Sequence, residues 1–494
     1  MKHVINIKNG TARMPTWRLA QPVNFTLDEG ENMAIVGPNG GGKSMLVDII
    51  IGRHPLLGND PEYNFAPSQK RLVSDNIKYV NFRDAYGGDN DRTYYLQQRW
   101  NQQEIDASTP TVEERLQKAF DMAGDDSPER RALQQHLYSL FHTGPSLGKY
   151  IISLSSGELR KLKLTEVLLA EPKVLIMDNP FIGLDAETRE QLRTLLAKLS
   201  SDLGLQVILV LSKSDDIPPF INQVVEVSGM VAKPKVSLSE YMARRVPNPP
   251  RVLSEEKAQA IRDLPYSGNA YHSQEVVRMS KVSIRYGQRT ILKDLSWTVR
   301  NGEHWVISGQ NGAGKSTLLS LVCADNPQSY ACDIKLFGMA RGSGESIWDI
   351  KKHIGYVSPE MHRAYERDLP AIQIVASGLK DSVGLYVKPN AQEYDTCRFW
   401  MSIFGLEGKE NQTFLKLSSG EQRLLLLARA FVKDPELLIL DEPLHGLDNA
   451  NRRLAKDVIE TFCERKDKTL MMVSHYTDEY PACIDHQLHL TRHE

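Results

Sequence analysis

Two short runs hold the residues best placed to do chemistry. GPNGGGKS (Gly37–Ser44) and GQNGAGKS (Gly309–Ser316) share one pattern, four residues between a glycine and a Gly-Lys-Ser triplet. Each follows an apolar run, MAIVG (Met33–Gly37) or WVISG (Trp305–Gly309). Glycines let backbone N–H groups curl around phosphate oxygens, and a helix starting at the lysine adds a favourable field. Gly37, Asn39, Gly40, Gly42 and Lys43 are therefore read as one nucleotide-phosphate loop, and Gly309, Asn311, Gly312, Gly314, Lys315 and Thr317 as a second. Lys43 and Lys315 would reach the β- and γ-phosphates, and the Ser44 and Ser316 hydroxyls would ligate Mg²⁺. Further along, VLIMDNP (Val174–Pro180) and LLILDEP (Leu437–Pro443) end apolar runs in Asp178 and Asp441, acids suited to holding the same Mg²⁺ through its water shell.

The elements that must position these residues repeat once. Gly157 of LSSGE (Leu154–Glu158) lies 21 residues before Asp178, and Gly420 of the second LSSGE (Leu417–Glu421) lies 21 before Asp441. Asp178 to Asp185 and Asp441 to Asp448 are both seven residues, each ending a GLD triplet. Repetition at this length is a duplicated domain rather than a solenoid. Continuous apolar runs such as Val174–Met177 and Leu437–Leu440 read as parallel strands covered on both faces, and the sequences after each LSSGE are helix formers. The fold class is α/β, with a first domain over 1–230, a linker over 231–274 and a second domain over 275–494. The linker is expected because PNPP (Pro247–Pro250) interrupts it, with one short helical piece at Ser254–Asp263.

Composition narrows the class. A length of 494 residues gives a prior of roughly three domains, which the repeat reduces to two and a linker. A formal charge of −2 supplies no general pull toward nucleic acid or anionic membrane. With 41% hydrophobic and 25% charged residues the chain can bury a sizeable core, and disorder is excluded for the whole. No apolar run approaches the roughly 18–20 residues that cross a bilayer, and MKHVINIKNG lacks a secretory apolar segment. The five cysteines show no CxxC spacing and read as free thiols, so Mg²⁺ with the nucleotide is the one metal implied. The expectation is a cytoplasmic protein, with any place at the inner face of the membrane supplied by a partner.

LSSGE before a Leu-rich helix resembles the LSGGQ signature of the ATP-binding cassette (ABC) ATPases, and the resemblance covers nearly the whole chain except the linker. Ser156 and Ser419 replace the first signature glycine, and Glu158 and Glu421 its final residue. The resemblance implies two P-loop NTPase domains in tandem, each with a RecA-like core, an antiparallel β part and a helical signature subdomain. It implies that two ATP molecules bind between head-to-tail cassettes. Ser155 and Gly157 would complete the second site, and Ser418 and Gly420 the first.

It also makes the differences between copies informative. Glu442 matches the family's general base and His475 its switch histidine; Asn179 and Lys213 stand at those places in the first copy. An amide cannot accept a proton, so the resemblance implies an asymmetric ATPase that hydrolyses mainly where Lys315, Glu442 and His475 meet. Tyr286 matches the adenine-stacking aromatic, whereas the equivalent count in the first copy reaches Met14, with Trp17 near but out of register. Neither copy has a clear glutamine at the family's Q-loop; Glu360, Gln97 and Gln98 are the nearest substitutes. Tyr94, Tyr95 and Trp100 read as core of a helical region, and His445 in PLHGLD as a residue near the cassette seam.

Within the family, GEHWVISGQNGAGKSTLLSLV and LFGMARGSGESIWDIKKHIGYVSPE are similar to tandem cassettes of the molybdenum-transport kind. That implies a soluble tandem ATPase powering transport, of molybdate or another oxyanion, through a separate membrane permease. The alternatives are an ABC-F-like ribosome-associated translation factor, which usually keeps both catalytic glutamates and a basic linker, and a DNA-repair ATPase, which needs zinc modules or heptad arms. A sugar-import tandem ATPase would keep its Q-loop glutamines.

Overall fold

The structure, a computed structural model, describes residues 2–81, 109–151, 154, 156–181, 184, 186–244, 252–265, 273–286, 289–359, 361, 365, 368–382 and 387–492. The chain divides into two compact units, Met1–Val246 and Pro247–Glu494.

In the first unit, parallel strands lie in the order Ile77–Asn81, Val174–Asp178, Gln206–Leu211, Met33–Val36 and Gln223–Ser228. In the second, the order is Ile354–Val357, Leu437–Asp441, Thr469–Val473, His304–Gly309 and His486–Leu490, again parallel. Each unit thus sets the strand before its phosphate loop two places from the strand ending in aspartate. The loop and the acid both emerge at carboxyl ends of strands, where α/β sheets bind ligands.

The continuous apolar runs are explained by burial on both faces. Leu438, Leu440, Leu470 and Met472 join the core on one side of the second sheet, and Leu437, Ile439, Met471 and Val473 the core on the other. In the first unit Leu175, Met177, Leu209 and Leu211 alternate in the same way with Val174, Ile176, Ile208 and Val210. Period two on a two-sided sheet leaves no polar position.

An antiparallel sheet accompanies each core. His3–Ala12 pairs with Val23–Asp28, and Glu275–Tyr286 with Arg289–Arg300. Helices complete each unit: Val112–Ala123, Pro128–Phe141 and Ser156–Leu168 in the first; Ala371–Ser377, Ala391–Ile403 and Ser419–Phe431 in the second. In the second, the Phe431 ring lies 5.0 Å from Trp400 and meets Phe462 edge-on at 5.0 Å, pinning the helix after LSSGE onto helix Asn449–Cys463.

The stretch 231–274, expected to be a linker, is shared between the units in the structure. Val231–Ala232 and Val236–Ser237 add to the edge strand Gln223–Ser228, and helix Leu238–Ala243 follows. Helix Glu255–Arg262, capped by Ser254, buries Ala258 and Ile261 in the second unit's core. Asp457 accepts the N–H groups of Val252 and Leu253 at 2.8 and 3.1 Å, and Arg262 donates to Glu464 at 2.7 Å. The two-residue edge strands leave too few periodic positions to show in sequence, whereas the helix matches the short helical piece expected at Ser254–Asp263.

Candidate active site

Both phosphate loops are built the same way. Gly40 and Gly42 hold φ of 74° and 105°, and Gly312 and Gly314 hold 81° and 97°, left-handed values that cost a side chain strain. Space is as tight as backbone: a Cβ on Gly37 would sit 1.8 Å from the Val227 carbonyl oxygen, and one on Gly309 would sit 2.3 Å from that of Leu490. Helices Lys43–Ile50 and Lys315–Val322 begin at the lysines. Lys43 Nζ donates to the carbonyls of Gly37 and Pro38 at 2.7 and 2.8 Å, and Lys315 Nζ to those of Gly309 and Gln310 at 2.7 and 3.0 Å. Each ammonium is thereby held across the mouth of its loop. Ser44 and Ser316 are exposed at the first helical turn, Thr317 is partly exposed in the same turn as Ser316, and Asn39 and Asn311 are partly exposed on the loops.

The residues after the two aspartates share a backbone and differ in chemistry. Asn179 and Glu442 adopt φ of 50° and 49°, and their N–H groups donate to Val210 and Val473 at 2.8 and 2.9 Å. In the first unit the Asn179 amide donates to Asp178 Oδ1 at 2.6 Å, and the Tyr79 hydroxyl to Oδ2 at 3.1 Å. Ser212 Oγ lies 3.2 Å from Asn179 Oδ1 and 3.0 Å from Asn39 Oδ1, and its proton serves one of them at a time. Asn179 therefore ties the buried acid to the phosphate loop and offers no base. Lys213 leads into the turn Ser214–Asp216.

In the second unit Glu442 lies between two histidines. His475 Nε2 is 3.2 Å from Oε1 and His445 Nδ1 is 3.1 Å from Oε2. These are ion-pair distances off the angle of a good hydrogen bond, so both nitrogens lack a well-aligned partner. Burial alone would raise the Glu442 carboxyl, but the neighbouring His445 and His475 outweigh it and hold the group well below the ordinary carboxylate range. Burial lowers the His445 ring against the pull of Glu442. Glu442 is thereby held as the carboxylate, the form that has a lone pair free to accept a proton. Sequence reading expected His475 as the switch histidine and His445 near the cassette seam, and it foresaw neither ring at this carboxylate, because a contact across a loop leaves no periodic signal.

The signature serine of the second unit doubles as a helix cap. Ser418 Oγ accepts the Glu421 N–H, and the Glu421 carboxylate accepts the Ser418 N–H at 2.8 Å, a reciprocal capping box. Lys409 pairs with Glu421, and Lys149 with Glu158 at 2.7 Å in the first unit. This is why the motif ends in glutamate: the acid caps its own helix and is neutralised by a lysine upstream. Gly420 is buried in the first turn. Gly157 lies in helix Ser156–Leu168, and Ser155 falls outside the described residues.

Two stretches of the chain, residues 20–182 and 292–445, match the family described as ABC transporter. The ABC transporter ATP-binding protein ModF of Escherichia coli (strain K12) is 35% identical over 98% of this chain and 96% of its own. The chain belongs to the ABC transporter family. It is a tandem ABC ATPase, with one ATP-binding domain in each unit. An uncharacterized ABC transporter ATP-binding protein of Schizosaccharomyces pombe is 28% identical over 99% of the chain and 98% of its own length. Among solved structures, the archaeal ribosome recycling factor aABCE1, in complex with ribosomal stalk protein aP1, aligns with a TM-score of 0.57 at 19% identity, over 97% of this chain and 87% of that one. At that identity the likeness is one of fold.

The remaining positions of the ABC ATPase divide into placed and unplaced. Tyr286 ends strand Glu275–Tyr286 with 47% of its surface exposed, its hydroxyl accepting from Asn326 at 3.0 Å. The partner strand brings Ile291 and Leu292 to 3.0 Å from where a Cβ on Gly314 would lie, so the same hairpin borders the phosphate loop. In the first unit Met14 is exposed, and Trp17 stacks on His54 at 3.6 Å between ring centroids. Glu360, Gln97, Gln98, Tyr94, Tyr95 and Trp100 lie outside the described residues. No helix among the described residues is long and apolar enough to cross a membrane.

Ser44 with Asp178, and Ser316 with Asp441, offer a hydroxyl and a carboxylate beside each loop, the hard oxygen donors that suit Mg²⁺. His304, Cys463 and Cys483 bring their ligand atoms within 4.8 Å of one another, a grouping that sequence spacing did not reveal. The His304 nitrogens face the carbonyls of Cys483 and Lys468 at 3.0 and 3.1 Å, a backbone role that leaves neither aimed at a metal.

Proposed function

We propose that the two units close head to tail on two ATP molecules and hydrolyse mainly one of them. Lys315, Thr317 and the glycines Gly309, Gly312 and Gly314 hold the phosphates of the hydrolysed ATP, and Tyr286 stacks on its adenine. Ser316 and Asp441 hold its Mg²⁺, and the first signature, Ser155 and Gly157, completes the site. Glu442 accepts the proton of the attacking water, with His475 reaching the γ-phosphate. When bound, Mg²⁺ neutralises charge on the β- and γ-phosphate oxygens. The first site, Gly37 to Ser44 with Asp178 and the second signature, Ser418 and Gly420, keeps its ATP and secures closure.

The observation that carries this reading is the exchange of Glu442 for Asn179 on superposable backbone, with the amide locked onto Asp178 at 2.6 Å. Losing a positioned base costs about 10²–10⁴ in rate. The work done by closure is transport through a permease supplied in trans, at the inner face of the membrane, with molybdate or a related oxyanion as cargo. Support comes from the full-length relationship to ModF and from the sequence runs around the second loop. A ribosome-associated role is the second reading, supported by the fold of the ribosome recycling factor.

Fractionation of cells carrying the Glu442→Gln protein, trapped with ATP, separates these. Retention on membranes together with an integral permease supports transport; co-sedimentation with ribosomes from a membrane-free extract contradicts it and supports the second reading.

A further inference from the structure

We propose that His445 is a positioning residue for hydrolysis: its imidazole clamps the Glu442 carboxylate from one side while His475 holds the other. The inference rests on the reading of Glu442 as the base. Each carboxylate oxygen has its own ring nitrogen, Oε2 with His445 Nδ1 at 3.1 Å and Oε1 with His475 Nε2 at 3.2 Å. The His445 side chain is 15% exposed and the His475 side chain 5%, so water competes little for either contact. Glu442 sits in left-handed backbone, its N–H donating to Val473 at 2.9 Å and its carbonyl accepting the His445 N–H at 3.2 Å, bonds that leave the side chain unrestrained. A carboxylate there needs lateral restraint to keep one oxygen aimed at a water, the same logic by which a catalytic base is oriented by a third group.

The second observation is internal to the chain. Aligned on the aspartates and on the strands beside them, Asn179 replaces Glu442, Ile182 replaces His445 and Ser212 replaces His475, which corrects the expectation of Lys213 there by one residue. Where the base is absent, both rings are absent. A histidine kept for packing alone has no reason to leave together with the carboxylate it faces. Both ring contacts are off-angle here, and catalytic hydrogen bonds of this kind align when the reacting complex forms.

The test uses the full-length protein and measures kcat, KM for ATP and thermal melting. His445→Ile, which installs the first unit's residue, is expected to lower kcat about tenfold or more with KM within about threefold, because the restraint acts on the base and not on ATP. His445→Asn, whose amide can reach the place of Nδ1, is expected to restore most of kcat. In a Glu442→Gln background, His445→Ile should lower turnover no further, since a pair acting as a unit is non-additive. A His445→Ile enzyme with parental kcat, alongside an inactive Glu442→Gln, overturns the proposal while leaving Glu442 as the base. A loss in His445→Ile that His445→Asn does not restore, accompanied by lower melting in both, assigns His445 to packing and overturns it too. Parental turnover in Glu442→Gln itself removes the reading on which the proposal stands.

Discussion

At the scale of single residues, the exchange of the Glu442 carboxylate for the shorter Asn179 amide is the sharpest difference between the two sites. Asn179 and Glu442 have nearly the same φ and the same backbone bond, so the backbone is matched and the difference lies in side-chain reach and proton affinity. Tyr286 carries a second asymmetry, because the first unit has exposed Met14 and a Trp17 already stacked on His54. Base–aromatic stacking contributes about 1–3 kcal/mol, so Tyr286→Ala should weaken ATP binding at the second site by about 5–150-fold while Tyr286→Phe stays near parental. Nucleotide titration of a chain whose first site is disabled checks this; equal binding in Tyr286→Ala would remove the adenine role. As candidates, Lys315 and Asp441 were legible in sequence from motif spacing, and Glu442 and His475 from the family resemblance. The contact of His445 with Glu442 was not, because that partner is reached by a turn of the chain and not by a repeat in the sequence.

At the scale of elements, the phosphate loops function because glycine is the one residue that fits. Gly309→Ala would force a Cβ to 2.3 Å from the Leu490 carbonyl oxygen at a φ of 142°. Such backbone conflict costs on the order of 1–3 kcal/mol before any repacking. The variant should melt at lower temperature and lose ATP binding in the second unit, as differential scanning calorimetry and titration would show; parental melting would contradict the close approach. The signature helix depends on packing more than on its cap. Ser418→Ala removes one capping bond, about 1 kcal/mol, whereas Trp400→Ala opens the aromatic cluster around Phe431 and should cost about 3–5 kcal/mol. Strands were legible where burial on both faces made them continuously apolar. Those of the stretch 231–274 were not, since they pair for two residues each, although its helix at Glu255–Arg262 was read as a short helical piece.

At the scale of the whole molecule, the doubled set of loops makes one chain hold what a pair of single-domain ATPases would hold. Two sites in one chain can diverge, and here the second retains base and histidines while the first retains the phosphate loop and its acid. Lys43→Ala should therefore reduce closure yet leave more residual hydrolysis than Lys315→Ala, with coupled-assay turnover as the measure; equal losses would argue for two equivalent sites. The tandem architecture was legible from the repeat and the family from the resemblance of LSSGE to the ABC signature, whereas the partner is a property of surfaces outside both phosphate loops. The most direct test of asymmetry is steady-state ATP hydrolysis by Glu442→Gln, with bound nucleotide counted in the same sample. The expected result is turnover lowered by about 10² or more with two ATP molecules retained per chain. Turnover close to parental would show that Glu442 is not the base and that the two sites are not divided as proposed.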